Sequence, residues 1–206
     1  RLSTSPKELK PACDRVSRSI RLTSASTSVS GWAARVAVTM NSLKAAKEFG
    51  VTPAMKSVAL MVFANEVESL GLKNAGGLMF TDSWFWDRTP ESRAWTNHYF
   101  AKTGKMPTSI HASDYSSAMT YFKAVEKAQT LDADKVMATL KSMELNDMFG
   151  KGKIQPNGRY VHDMYLLQVK TPEESKAKHD SFKLLKTLPG DKLFASKEEA
   201  NCPLWK

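Results

Sequence analysis

Residues 80–87 read FTDSWFWD. Trp84, Phe85 and Trp86 run consecutively, and carboxylates flank them at Asp82 and Asp87. Such a run is either the end of a core strand or the wall of a ligand pocket, because aromatic rings serve both as core filling and as a rigid face for a solute. The residues on each side must decide between the two.

Upstream, KSVALMVF (56–63) is a short apolar run of the kind a buried strand needs, and GLMFTDSW (77–84) is a second. A helix is expected before them. Thr39 is its candidate cap, Met40, Leu43 and Ala46 or Lys47 recur at helical spacing, and Gly50 closes it. NEVESLGLKNAGG (65–77) reads as a loop with a brief helix. Helix, strand, helix, strand is the rhythm of a parallel α/β sheet.

Downstream, Thr89-Pro90-Glu91 is a helix start: a capping hydroxyl, a proline in the first turn and an acid near the positive end of the dipole. Trp95, Tyr99 and Phe100 carry that helix to Gly104, and KMPTS (105–109) is a loop. A longer helix follows, with Tyr115, Ala118, Met119, Phe122 and Val125 along one side. Asp132 opens a third, with Val136, Met137, Leu140 and Met143 on its apolar side. Three helices with short links are expected to form one layer against a sheet. Pro156-Asn157-Gly158 then marks a turn between extended runs, and in MYLLQVK (164–170) Tyr165, Leu167 and Val169 alternate with Leu166 and Gln168. TLPGDKLF (187–194) and ANCPLWK (200–206) read as loops.

The chain has 206 residues, 42% hydrophobic and 25% charged, the composition of a globular protein of one domain or two small lobes. Its longest apolar run, Val58 to Ala64, is strand-sized and far short of a membrane span. The net charge of +9 is uneven: residues 1–35 hold seven Lys or Arg against two acids. A basic balance is compatible with nucleic acid or membrane contact. No nucleic-acid motif or sustained basic helix face accompanies it, so nucleic acid is not expected as a partner. Residues 1–31 also hold eight serines and three threonines, and RVSRSIRLTSASTSVSG (15–31) has no face to bury. Residues 1–35 are therefore expected to be disordered, or to be read out of frame with respect to the domain that follows at 36–206.

Chemistry is sparse. Cys13 and Cys202 have no metal-ligand spacing, and His98, His111, His162 and His179 are dispersed, so neither a metal nor a cofactor is expected. The serines lack a nucleophile elbow, and Gly76-Gly77 precedes a strand instead of opening a helix, which makes it a poor phosphate cradle. Two clusters remain. Asn65 and Glu66 follow the strand 56–63, where ligands of open α/β sheets sit, although an Asn and a Glu in a helix's first turn also serve as ordinary caps. Trp84 to Asp87 follow the next strand, with a strand-end core as the ordinary alternative.

Read together, NSLKAAKEFGVTP (41–53), residues 69–119 from SLGLKNAGG to SSAM, GRYVHDMYLLQVKTPEES (158–175) and the closing NCPLWK (201–206) resemble the C-terminal half of periplasmic substrate-binding proteins of ABC transporters, of the branched-chain amino acid and amide type. The resemblance covers roughly residues 37–206. It implies an α/β fold of parallel sheets covered by helices, two-lobed in the manner of type I periplasmic-binding proteins and here incomplete, with ligand trapped between lobes by hinge closure. Residues 37–80 and about 155–206 would belong to the second lobe and 88–150 to the first, with FTDSWFWD crossing between them beside the cleft. The implied activity is non-enzymatic binding of an amino acid, amide or urea-like solute in the periplasm and its delivery to an ABC permease. The expected ligand contacts are Asn65, Glu66, Trp84, Trp86 and Tyr115. Members of the family are nearly twice this length, so the front of the first lobe is expected to be missing and Cys202 to have lost its partner. The alternatives are a cytoplasmic ligand sensor on the same fold, a small hydrolase with dispersed residues, or a fragment without function.

Overall fold

The computed structural model describes residues 29–32, 36–51, 55–60 and 62–200. Cys13, Cys202 and the closing NCPLWK lie outside the described residues, as does most of the serine-rich segment. A five-stranded mixed sheet has the order β1 (Val29–Trp32), β2 (Lys56–Ala59), β3 (Met79–Asp82), β7 (Met164–Val169) and β8 (Phe182–Leu188). The first three strands run parallel; the helix–strand rhythm predicts this for β2 and β3, whereas β1 lies in the segment expected to be disordered. β7 and β8 are added antiparallel. β1 pairs in register with the whole of β2, so the fold begins before the boundary expected near residue 35.

Helix α1 (Val36–Glu48) starts before the expected cap, which leaves Thr39 inside it. Leu43 and Ala46 are buried, in keeping with the expected stripe. Residues 65–77 hold more helix than their composition promises: α2 (Ala64–Leu70) and α3 (Leu72–Ala75) are separated by Gly71 at φ 76. Val67 and Leu70 of α2 join Ala59, Leu78, Phe80, Leu167 and Val169 in the first core. There Phe80 lies opposite Leu167 and meets Phe182 edge-on at 5.4 Å. The alternation expected in β7 holds, with Tyr165, Leu167 and Val169 buried. Residues 182–188 form β8, although the end of that strand read as loop, because its side chains are mostly exposed and show no burial period.

The helical part follows. Thr89 caps α4 (Pro90–Thr103), its Oγ1 accepting the Ser92 N–H at 3.2 Å, and Gly104 ends it at φ 68. Asp132 caps α6 (Ala133–Ser142) through the Lys135 N–H at 3.0 Å. Between them runs α5 (Ser109–Ala128). Its expected apolar side faces outward: Tyr115 is 47% exposed and Phe122 61%, while Ala112, Ser116 and Ala124 are the buried positions. The three helices do not share one sheet. α5 packs on α6, and α6 on a small antiparallel sheet of β4 (Glu144–Asn146), β5 (Lys151–Ile154) and β6 (Tyr160–His162). The expected Pro-Asn-Gly turn joins β5 to β6, with Gly158 at φ 84. Gly152 is required there because a Cβ would stand 2.0 Å from the Val161 carbonyl oxygen. One-turn helices α7 (Gly190–Leu193) and α8 (Lys197–Ala200) end the described chain.

FTDSWFWD is core on both of its sides. Phe80 and Phe85 pack with the first core, and Phe85 meets Tyr165 at 5.4 Å. Trp84 and Trp86 pack with a second core built on Ala112, Met148 and Phe149. Trp84 is 1% exposed, and its indole N–H donates to the Met148 carbonyl at 3.0 Å. The same carbonyl accepts from Arg88 Nη2 at 3.0 Å and Ser92 Oγ at 2.7 Å. Asp147 shapes the turn that presents it: its carboxylate accepts the Phe149 N–H at 2.8 Å, the Gly150 N–H at 3.2 Å and the Ser116 hydroxyl at 2.5 Å.

Asp82, also buried, ends β3. Desolvation pushes its carboxyl up to about 6, against the pull of the Ser109 hydroxyl and the Ser83 and Trp84 backbone. A carboxyl displaced from 3.8 to about 6 is worth about 3 kcal/mol, unfavourable to the fold once ionised.

Two outcomes are expected. Three donors compete for a carbonyl with two lone pairs, so one is partly redundant. Ser92→Ala should cost about 1 kcal/mol and Trp84→Phe about 2 kcal/mol in urea unfolding, and the double variant more than their sum; strict additivity would show that the donors act independently. For Asp82, the folded carboxyl holds its proton where the unfolded one has lost it, so wild type loses stability relative to Asp82→Asn as pH rises from about 4 to about 6. A wild-type-minus-variant difference that stays flat across that window would contradict the burial argument.

Candidate functional site

Between the two cores lies a cavity of about 590 Å³, a size that suits a small molecule. Asn65, Glu68 and Ser69 of α2 form one wall, together with Lys178 and His179 of the segment before β8. Tyr99 and Phe100 from the last turns of α4, Gly104 to Met106 and His111 of α5 form the other.

The α4–α5 wall is set by local rules. Gly104 stops α4 and Thr108 starts α5, so the end of one helix and the start of the next are forced together. His111 takes the third position of α5, where its Nδ1 accepts the Thr108 N–H at 3.1 Å. A ring nitrogen that accepts an N–H carries no proton, so in the neutral ring the hydrogen sits on Nε2. Tyr99 packs on this ring at 5.4 Å.

The opposite wall depends on His179. Its φ of 66 lies in the left-handed region, uncommon for a side chain of this size. Its carbonyl accepts from Ser181 N–H at 2.9 Å and from the Trp86 indole at 3.2 Å. Nδ1 is 2.6 Å from Glu68 Oε1, and the ring meets Phe100 edge-on at 5.9 Å. Nε2 is buried without a partner among the described residues. Lys170 and Asp180 pair at 2.5 Å and close the base of this segment, with Asp180 also accepting the Lys176 N–H at 3.0 Å.

The five residues expected at a ligand are thus dispersed. Asn65 lines the cavity. Glu66 is buried and accepts the Phe63 N–H at 3.1 Å, which is the capping role that its position also allowed. Trp84 is sealed in the second core, and Trp86 reaches the cavity only by holding the His179 carbonyl. Tyr115 is exposed and rests on Trp95 at 5.6 Å; Trp95 in turn meets Trp84 at 5.7 Å and Tyr99 at 5.4 Å, so an aromatic row joins these residues to the cavity wall. Tyr99, Phe100, Lys105, His111 and His179 were not anticipated. The Gly104–Thr108 link could have flagged the first four, since it places both helix ends together. Nothing local marks the pairing of His179 with Glu68, which lie 111 positions apart.

Among the described residues no group of three His, Cys, Asp or Glu is arranged to hold a metal, and no helix is long and apolar enough to cross a membrane. The arrangement offers hydrogen bonds, charge and aromatic surface to a small solute.

The comparisons agree in kind. The family model described as periplasmic binding protein matches residues 25–178, which extends the resemblance into the serine-rich segment. A periplasmic binding protein from Burkholderia mallei is 50% identical, with a TM-score of 0.81 over 86% of this chain and 48% of its own. A branched chain amino acid ABC transporter periplasmic ligand-binding protein from Burkholderia xenovorans LB400 is 33% identical, with a TM-score of 0.79 over the same shares. An amino acid ABC transporter substrate-binding protein from Pseudomonas fluorescens Pf-5, 20% identical over 84% of this chain and 46% of its own, shares the fold at a TM-score of 0.71. No curated protein matches. The chain spans about half the length of the solved structures it resembles. With the family model covering most of its length and a mixed sheet joined to a helical body by two crossings, the chain belongs to the periplasmic binding proteins, with the type I fold.

Proposed function

We propose that this chain is part of the solute-binding component of an ABC importer and that it binds a small solute of the amino acid, amide, urea or carboxylic acid kind in the cavity between its two cores. The observation that carries this is the division of the cavity wall. Asn65, Glu68 and Ser69 stand on a helix of the first core, whereas Tyr99, Phe100 and His111 stand on helices that pack with the second. A solute held there touches both bodies, which is how closure about a hinge is driven by binding. FTDSWFWD and the crossing from β6 to β7 are the hinge strands of this reading. The sheet body, residues 37–80 and 155 onward, is then one lobe, and residues 88–150 belong to the other.

The outward face of α5 supports a further part of the reading. Tyr115, Met119 and Phe122 are exposed at helical spacing, an arrangement that normally covers a core. Because the relatives have about twice this length, we assign that face to the remainder of a two-lobed protein, which would complete the first lobe. The whole assembly would work in the periplasm and hand its solute to a membrane permease. Binding alone is required, with polar groups fixing the solute and aromatic rings excluding water.

Thermal unfolding of the 206-residue chain with leucine, isoleucine, valine, acetamide, urea and 4-methylpentanoate tests this. A solute at a hundred times its Kd should stabilise the fold by about 2.7 kcal/mol. Tyr99→Leu and Asn65→Leu should weaken that solute at least ten-fold while leaving the solute-free transition within a few degrees. No shift with any member of the panel, or a shift that both variants retain, would contradict the site.

A further inference from the structure

The charges around the cavity carry the reading one step further, and this step rests on the proposed solute site. Lys105 and Lys178 both line the space, and neither is ion-paired among the described residues. One carboxylate lines it, Glu68, and that group is already engaged by His179 at 2.6 Å. The neighbouring Glu66 is buried and committed to the Phe63 N–H. Asp180 is held by Lys170 at 2.5 Å and by the Lys176 N–H. A solute ammonium therefore meets two like charges, against one carboxylate that already gives Oε1 to His179. A solute carboxylate meets two ammonium groups and one neutral-ring N–H, because His111 presents Nε2–H once Nδ1 has accepted Thr108. Tyr99, Phe100 and Met106 supply apolar surface for a short hydrocarbon body.

We infer that the cavity between α2 and the α4–α5 link selects a small organic acid without an α-ammonium group, its carboxylate seated between Lys105 and Lys178 and its hydrocarbon body on Tyr99 and Phe100. The solute is thus an anion in place of a zwitterion or a neutral amide. Lys105 and Lys178 stand on opposite walls, so the same carboxylate also draws the two bodies together.

Three probes with one carbon skeleton separate the possibilities: 4-methylpentanoate, leucine and 4-methylpentanamide. Titration calorimetry of the full chain should show 4-methylpentanoate binding at least ten-fold more tightly than leucine or the amide. The double variant Lys105→Gln, Lys178→Gln should lose that preference. Both lysines are exposed, so its solute-free melting temperature should match wild type. Leucine or the amide binding as tightly as the acid would overturn the inference while leaving a solute site in place, as would a preference for the acid that survives in the double variant. Absence of binding by all three probes and by every solute of the thermal panel would overturn the site itself, and the inference with it.

Discussion

One carbonyl oxygen holds this molecule in its shape. Met148 O accepts from Trp84, Arg88 and Ser92, three donors from the stretch that leaves the sheet and starts α4. The turn presenting that oxygen is itself pinned by Asp147, whose carboxylate takes two backbone N–H groups and the hydroxyl of Ser116 on α5. Arg88 extends the network to the sheet through the Tyr165 hydroxyl at 3.1 Å. The hub therefore joins β7, the crossover, α4, α5 and the turn before β5. Buried polar networks of this kind are strong when every member is satisfied and costly when one is lost, and this one lies where the sheet body and the helical body meet.

The cavity inherits its geometry from that junction. Trp84 stands behind Trp95, which stands behind Tyr99, so a single ring separates the hub from the α4–α5 wall. Trp86 holds the His179 carbonyl and so sets the other wall. His179 adopts a left-handed backbone, a conformation that costs on the order of 1–3 kcal/mol unless the surroundings impose it. Here the Trp86 and Ser181 bonds, the Glu68 pair and the closed Lys170–Asp180 base impose it.

Much of the fold was legible because local rules decide it. Thr89-Pro90-Glu91, Gly104, Asp132 and Pro156-Asn157-Gly158 are start and stop signals whose mechanism is contained in a few residues, and each falls where it was expected. The alternation in β7 was equally plain, since a strand buried on one face shows period two. The parallel β2–β3 pair followed from the helix–strand rhythm. What could not be read depends on distant partners. The apolar stripe of α5 looks like a core face, yet among the described residues nothing covers it, so Tyr115 and Phe122 are exposed. β8 carries no burial period because it is the edge strand and successive side chains on both of its faces are exposed. The site suffered most: Glu66 went to its own helix cap, Trp84 to the second core, and the cavity was assembled from His179 and Glu68, separated by 111 positions. The resemblance to periplasmic binding proteins did not distinguish the rings packed in the cores from the rings that line the cavity.

The account therefore turns on FTDSWFWD acting as a fixed crosspiece between two bodies and not as a flexible lining. Hydrogen exchange of the five tryptophan indole N–H groups, resolved by NMR, measures this most directly. The Trp84 indole should be as protected as the slowest backbone amides of β3 and β7, with no change when a solute is added. Rapid exchange at Trp84, or protection acquired only with solute, would show that the crosspiece is loose and that the two cores are not joined as described.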